Sequence, residues 1–293
     1  MELQTLSSSI VQNFIPTRKS TSRKGDNGIV LVIGGSYIYH GAPVLSSLAA
    51  LRCGTDLVYT SVPKINVSAT RSTSPNLIVI PLVDQKLTLG AVKKLVGALP
   101  CNLHSATIGM GLAIQEKNSL LHLVKSLLDR DVRLSLDASA LIPEILPILA
   151  HKNVVVTPHA GEFKRLFGDV PSDSNLERIK LVEENALKHG ITILLKGPTD
   201  IISDGKITYL CEKNTPAMTV GGTGDVLSGL VAGLLSTNRN TLESAAAASY
   251  ICGLAGKEVQ EKLGLHITSM DLIDSIPSVM KPFDKIIWLE WTH

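Results

Sequence analysis

The sequence predicts one three-layer α/β/α domain with a mostly parallel central sheet and an antiparallel edge hairpin. Three observations carry that prediction. From about residue 28 onward, short β-branched runs alternate with longer helical patterns, the rhythm of parallel strands joined by helical crossovers. Hydrophobic residues make up 44% of the chain and charged residues only 18%, as expected when strands are buried on both faces. Between residues 200 and 210, two short runs flank Asp204-Gly205, a dipeptide suited to a tight hairpin turn.

The elements follow in order. Gly28–Ile33 reads as a fully buried strand that ends at Gly34-Gly35, and Ala42–Cys53 as a small-residue helix closed by Gly54. Strands are expected at Asp56–Ser61, Asn76–Ile80 and Ser105–Gly109, with a helix over Leu87–Leu99. Helix Asn118–Asp129, strand Val132–Asp137 and helix Pro143–His151 continue the alternation. Val154–Val156 is a strand, Gly161–Phe167 a short helix, Leu176–Gly190 a longer one, and Ile191–Lys196 the next strand. The hairpin strands Asp200–Ser203 and Lys206–Leu210 precede two apolar helices, Gly224–Ser236 and Leu242–Leu263. No internal repeat or linker divides the chain. The expected organisation is an N-terminal lead-in (residues 1–23), a catalytic domain (24–280) and a C-terminal tail (281–293).

Composition narrows the partners. Lys and Arg total 28 against 26 Asp and Glu, a formal net charge of +2, and aromatic residues are 4%. That balance points away from nucleic acid and from a membrane surface. The most apolar stretches, Val226–Asn238 and Ser244–Gly256, are separated by Arg239 and Glu243 and are too short to span a bilayer. Cys53, Cys101, Cys211 and Cys252 lie far apart, without metal or redox spacing. The N-terminus lacks an apolar signal core, and Arg18, Lys19, Arg23 and Lys24 read as a solvated approach to the first strand, so a cytoplasmic location is expected.

The chemistry concentrates in Thr219-Val220-Gly221-Gly222-Thr223-Gly224-Asp225, directly before an apolar helix. Glycines let the backbone turn tightly and present consecutive N–H groups, and the helix start adds partial positive charge. Together they form a site for phosphate oxygens. Asp225 falls in the first helical turn, where it could serve chemistry or simply cap the helix. No Gly-Lys-Ser/Thr ends a glycine run, so this is not a P-loop, and Leu227 occupies the third glycine place of a dinucleotide fingerprint. Without a loop lysine, Mg²⁺ and the helix dipole are the expected neutralising charges. Other unusual segments, Gly34-Gly35-Ser36, Gly109-Met110-Gly111, Thr157-Pro158-His159 and Lys196-Gly197, each follow an expected strand, at the end where such sheets bind ligands.

These residues resemble the ribokinase-like superfamily, and within it the NAD(P)H-hydrate dehydratase family. The Gly221–Asp225 loop resembles the superfamily's anion-hole motif. Lys24-Gly25-Asp26-Asn27-Gly28, His40-Gly41-Ala42-Pro43, Leu136-Asp137-Ala138-Ser139-Ala140-Leu141, Thr157–Phe163 and Leu195-Lys196-Gly197 match the family in collinear order, over about Lys24 to Ser278. The resemblance implies nucleotide-dependent dehydration of hydrated NADH or NADPH. A phosphoryl group would pass to a hydroxyl on the nicotinamide ring, and phosphate would then leave. Asp225 would be the catalytic base and a substrate contact. Ala42, Gly111, His159 and Glu162 would also contact substrate. Lys196, Gly197, Pro198, Thr199, Asp200, Gly221, Gly222, Thr223 and Gly224 would bind the nucleotide, ADP or ATP, with ADP favoured. Glu162 would organise Mg²⁺, if need be through water, though the residues alone allow it to be an ordinary first-turn carboxylate. Asp137 could assist the metal or merely cap. Met110 departs from the family's usual Gly-Pro-Gly. Family membership also implies a homo-oligomer, with tetramers common. Two alternatives share the motifs: a small-alcohol kinase of the hydroxyethylthiazole or pyridoxal type, and a nucleotide-binding sensor without turnover.

Overall fold

The computed structural model describes residues 2–171, 174–213 and 215–289. Its centre is a ten-stranded sheet. Seven strands run parallel: β3 (Ile29–Ile33), β4 (Leu57–Pro63), β5 (Leu77–Leu82), β6 (Ser105–Ile108), β7 (Arg133–Leu136), β8 (Val154–Val156) and β9 (Thr192–Leu195). β10 (Thr199–Ser203) then runs antiparallel to β9 and to β11 (Ile207–Glu212), so the expected hairpin closes at Asp204-Gly205. The spatial order ends with β1 (Glu2–Thr5) outside β11 and β5 at the far edge.

Alternation along β3 shows how the sheet builds two cores. Ile29, Leu31 and Ile33 face one apolar cluster, whose members include Leu123 and Phe163; Val30 and Val32 face the other side, towards Ala232. Every residue of β3 is buried, so its uniformly apolar composition answers to two packed faces rather than one. Helices Leu89–Ala98, Lys117–Leu128, Ala160–Phe167 and Asn175–His189 cover the first face. Ala42–Arg52, Thr223–Thr237, Thr241–Leu263 and Ser269–Met280 cover the second. Small residues let that second layer pack closely: a Cβ at Gly229 would stand 2.1 Å from the Ser46 carbonyl oxygen.

The chain ends differ from expectation. Arg18, Lys19, Arg23 and Lys24 are exposed as expected, but the residues before them are packed: β1 pairs in parallel with β11, and helix Ser8–Phe14 buries Val11 and Phe14. The Phe14 ring meets Tyr209 edge-on at 5.5 Å. At the other end Phe283 is buried, and β12 (Ile286–Ile287) pairs with β2 (Arg18–Lys19). Both ends therefore close onto the domain by hydrophobic burial. The expected helix over Pro143–His151 is also broken, into a 3₁₀ turn at Pro143–Ile145 and a single helical turn at Leu146–Leu149, because Pro147 has no N–H to bond to the Pro143 carbonyl.

Because β3 to β9 point the same way, the segments after them all emerge at one end of the sheet. β10 begins and β11 finishes at that same end. Everything chemical gathers there.

Candidate active site

Two cavities meet at the start of helix Thr223–Thr237. The larger, about 770 Å³, is lined by His159, Lys196, Gly197, Pro198, Lys213, Thr215, Pro216, Met218, Thr219, Thr223, Gly224 and Leu227. The smaller, about 420 Å³, is lined by Ser36, Tyr39, Ala42, Gly111, Leu112, Ala113, Ala138, Ser139 and Asp225. Gly224 faces one and its neighbour Asp225 the other, so the helix start is their shared wall.

The glycine loop is held from behind. Gly222 has φ +93°, and a Cβ there would stand 2.6 Å from Ser269 Oγ and 2.7 Å from Leu45 Cδ1. That hydroxyl donates to the Gly221 carbonyl at 2.7 Å, and Thr223 Oγ1 donates to the Met218 carbonyl at 3.1 Å. Gly222 is thus required by backbone conformation and by packing behind the loop. Gly221 meets nothing within 4 Å.

Asp225 lies in the first turn of the helix, and its carbonyl accepts from Ser46 Oγ at 2.7 Å. Burial pushes its carboxyl up to about 7, with Asp137 adding like-charge repulsion and Lys196 pulling the other way. A carboxylate that titrates near neutrality at a cavity wall is suited to accept a proton from an alcohol.

Lys196 holds the neighbouring charges together. Its ammonium is 2.8 Å from Asp137 Oδ1 and 3.6 Å from Glu162 Oε2. A Cβ at Gly224 would stand 3.6 Å from the same nitrogen, so this cation sits directly beside the loop. Burial lowers the Lys196 pKa, but Asp137 and Glu162 more than offset it and hold it above that of an ordinary lysine. Asp137, only 2% exposed, is the residue whose importance was least visible in sequence; no pattern distinguishes a strand-end aspartate from a cap.

His159 and Glu162 form a capping box at helix Ala160–Phe167. His159 Nδ1 accepts from the N–H groups of Gly161 at 3.0 Å and Glu162 at 3.3 Å, while Glu162 Oε2 accepts the His159 N–H at 2.9 Å. With Nδ1 accepting, the ring proton belongs on Nε2, which is 3.5 Å from Glu162 Oε1. His159 lines the larger cavity beside Lys196, rather than the smaller one where Ala42, Gly111 and Asp225 meet. Asp200 also lies apart from the cavity walls: it is fully buried and ion-paired with Lys213 at 2.6 Å. Thr199 begins β10 behind the Gly197-Pro198 wall.

The departure at Met110 is accommodated inward. Gly109 and Gly111 both keep positive φ, at +126° and +62°, and the Met110 side chain is fully buried. Its sulfur accepts from Ser228 Oγ at 3.4 Å and Thr107 Oγ1 at 3.5 Å. Gly111 must lack a side chain, since a Cβ would stand 2.6 Å from that of Tyr39.

Among the described residues no group of three or more His, Cys, Asp and Glu could cage a metal ion. Glu162 is already engaged by the His159 amide and faces Lys196. Its remaining capacity fits an outer contact to a hydrated Mg²⁺ whose inner ligands are phosphate oxygens and water, the usual preference of this ion.

The three-layer α/β/α fold, with a glycine run opening a helix beside Asp225, is that of the ribokinase-like class. Within it, the NAD(P)H-hydrate dehydratase family model matches residues 30–278, and the chain belongs to that family. It is 79% identical over 287 residues to the ADP-dependent (S)-NAD(P)H-hydrate dehydratase of Nitrosopumilus maritimus (strain SCM1), covering 98% of this chain and 100% of that one. The protein of the same description from Cenarchaeum symbiosum (strain A) is 64% identical, over 94% and 96% of the two chains. Among solved structures, the ADP/ATP-dependent NAD(P)H-hydrate dehydratase from Bacillus subtilis, co-crystallized with ATP/Mg²⁺, superposes with a TM-score of 0.83 at 25% identity. That match covers 97% of this chain and 100% of the other.

Proposed function

We infer that this chain catalyses the ADP-dependent dehydration of hydrated NADH and NADPH, returning the damaged dinucleotides to NADH and NADPH. The observation that carries the reading is the placement of Asp225 and Gly224 on opposite sides of one helix start, each facing its own cavity. The 79% identity to an ADP-dependent dehydratase supports the same substrate and donor.

The nucleotide occupies the larger cavity, with its terminal phosphoryl group against the amides of Gly222, Thr223 and Gly224 and beside Lys196. The hydrated nicotinamide ring occupies the smaller one, where Ala42 and Gly111 leave room for a flat ring. Asp225 removes the proton from the ring hydroxyl as its oxygen bonds to phosphorus, and the bond from phosphorus to the AMP oxygen breaks. Phosphate is a far better leaving group than hydroxide. The ring nitrogen's electron pair expels it, and loss of the adjacent ring proton restores the double bond. Donors fixed at the helix start need no rearrangement as charge moves onto the phosphoryl oxygens, which is where electrostatic catalysis acts. Mg²⁺ bound with the nucleotide would supply further charge neutralisation, with Glu162 holding one of its waters.

No helix among the described residues is long and apolar enough to cross a membrane. Four free cysteines support placement in a reducing cytoplasm.

The direct test mixes purified protein, hydrated NADH, ADP and Mg²⁺ and follows the absorbance of reduced nicotinamide. Recovery of NADH with stoichiometric AMP and phosphate is the expected result. Accumulation of a stable phosphorylated product would instead make the protein a kinase. Nucleotide binding with no turnover would make it a sensor.

A further inference from the structure

Lys213 stands at the end of β11 on the wall of the larger cavity, and no sequence pattern singles it out. Its side chain is 14% exposed and its ammonium lies 2.6 Å from Oδ2 of the fully buried Asp200. Asp200 has two further donors. Its Oδ1 accepts the Gly197 N–H at 3.0 Å, and its Oδ2 also accepts the Ser249 hydroxyl at 2.7 Å. The carboxylate thereby ties together the loop after β9, the end of β11 and helix Thr241–Leu263. Burial lowers the Lys213 pKa, yet Asp200 outweighs it, so the ammonium stays charged.

A buried ion pair is a poor device for stability alone, because the loss of hydration for two charges roughly offsets their attraction, and an apolar pair would pack as well. What the pair provides is a cation at a fixed place. Lysine carries three N–H donors, and the pair with Asp200 does not exhaust them. Lys213 lines the cavity and its side chain keeps 14% exposure.

We propose that Lys213 is a nucleotide-binding residue that donates to an acceptor atom on the nucleoside half of ADP, with Asp200 as its positioning residue. This rests on the nucleotide reading of the larger cavity. Lys196 and the Thr223 helix start already mark the phosphate end. Lys213 shares its wall with Pro198, Pro216 and Met218, apolar surfaces suited to a base or ribose, and its N–H donates to the Pro198 carbonyl at 3.3 Å. Asp200, expected from sequence to touch the nucleotide, acts through Lys213 and the Gly197 amide instead.

The test is calorimetric titration of ADP and of inorganic pyrophosphate into the wild-type protein and into the double variant Asp200→Asn/Lys213→Met. The double change avoids leaving a lone buried carboxylate, and a melting curve checks its fold. ADP affinity should fall roughly ten- to a hundred-fold, pyrophosphate affinity should stay within about twofold, and KM for the hydrate at saturating ADP should not change. The single variant Asp200→Asn, which keeps the ammonium but loosens its position, should show a smaller loss confined to ADP, and it decides the matter if the double variant does not fold. Unchanged ADP affinity, or equal losses for ADP and pyrophosphate, would overturn the assignment and leave the pair a structural tie. Failure of the wild-type protein to bind ADP at all would sink the nucleotide reading of the cavity itself.

Discussion

The two cavities that meet at Gly224 and Asp225 are built in opposite ways. Except for His159, the larger is drawn from residues 196–227, and two lysines line it. The smaller is assembled from separate segments around residues 36–42, 111–113, 138–139 and 225, and Asp225 is the one ionisable carboxylic acid on its wall. A phosphate needs a local run of backbone amides, which a short stretch of sequence can supply. A ring needs space, which only the folded sheet creates, by bringing small residues from distant loops to one end. Asp225 stands at the boundary, so changes on either side should separate cleanly in their effects.

Asp225→Asn should have the largest effect. Turnover should drop by about 10²- to 10⁴-fold, the usual contribution of a general base, while ADP affinity stays within about threefold. The same variant should be more stable than wild type well above neutrality. The Asp225 carboxyl is pushed up to about 7 from an unfolded value of 3.8. Its ionised form therefore penalises the folded state at high pH, and the penalty disappears below the unfolded value. Urea melts at alkaline and acidic pH should show a gain of about 2 kcal/mol only in the former. Near-normal rates in this variant would remove Asp225 from the role of base.

Gly222→Ala should disturb the nucleotide side, costing about 1–3 kcal/mol of stability and weakening ADP by about tenfold, because φ +93° and the contacts with Ser269 and Leu45 forbid a side chain. Isothermal titration with ADP and a thermal melt measure both. Ala42→Leu should act on the other side: KM for the hydrate should rise by about tenfold with ADP affinity unchanged, since Ala42 lines only the smaller cavity. Equal effects on both ligands would dissolve the distinction between the cavities. Gly221→Ala should do least, within about 0.5 kcal/mol, since no atom lies within 4 Å of a Cβ there.

The same contrast explains what could be read from sequence. The Gly221–Asp225 loop was legible because its backbone demands particular residues in a row. So were the buried parallel strands, whose β-branched runs answer to two packed faces. β1 was hidden because it is an exposed edge strand whose partner, β11, lies some two hundred residues away in the chain. Helix Ser269–Met280 was missed although Thr268 and Asp271 form a capping box that the sequence spells out. Lys213 carried no signal, and nothing in the sequence decided whether Asp137 assists a metal or merely caps. A single charge at a strand end reads as solvated until the fold buries it against Lys196 or Asp200. His159 stands at its helix start as expected, and its side chain lines the larger cavity rather than the smaller one lined by Ala42 and Gly111.

The most direct measurement is the pH dependence of kcat/KM for hydrated NADH. An acid limb centred near 7, absent from the residual activity of Asp225→Asn, is the expected result, because burial and Asp137 raise that carboxyl to about 7. A limb near 4, where an unperturbed carboxylate titrates, would contradict the claim that a buried aspartate between two cavities drives the reaction.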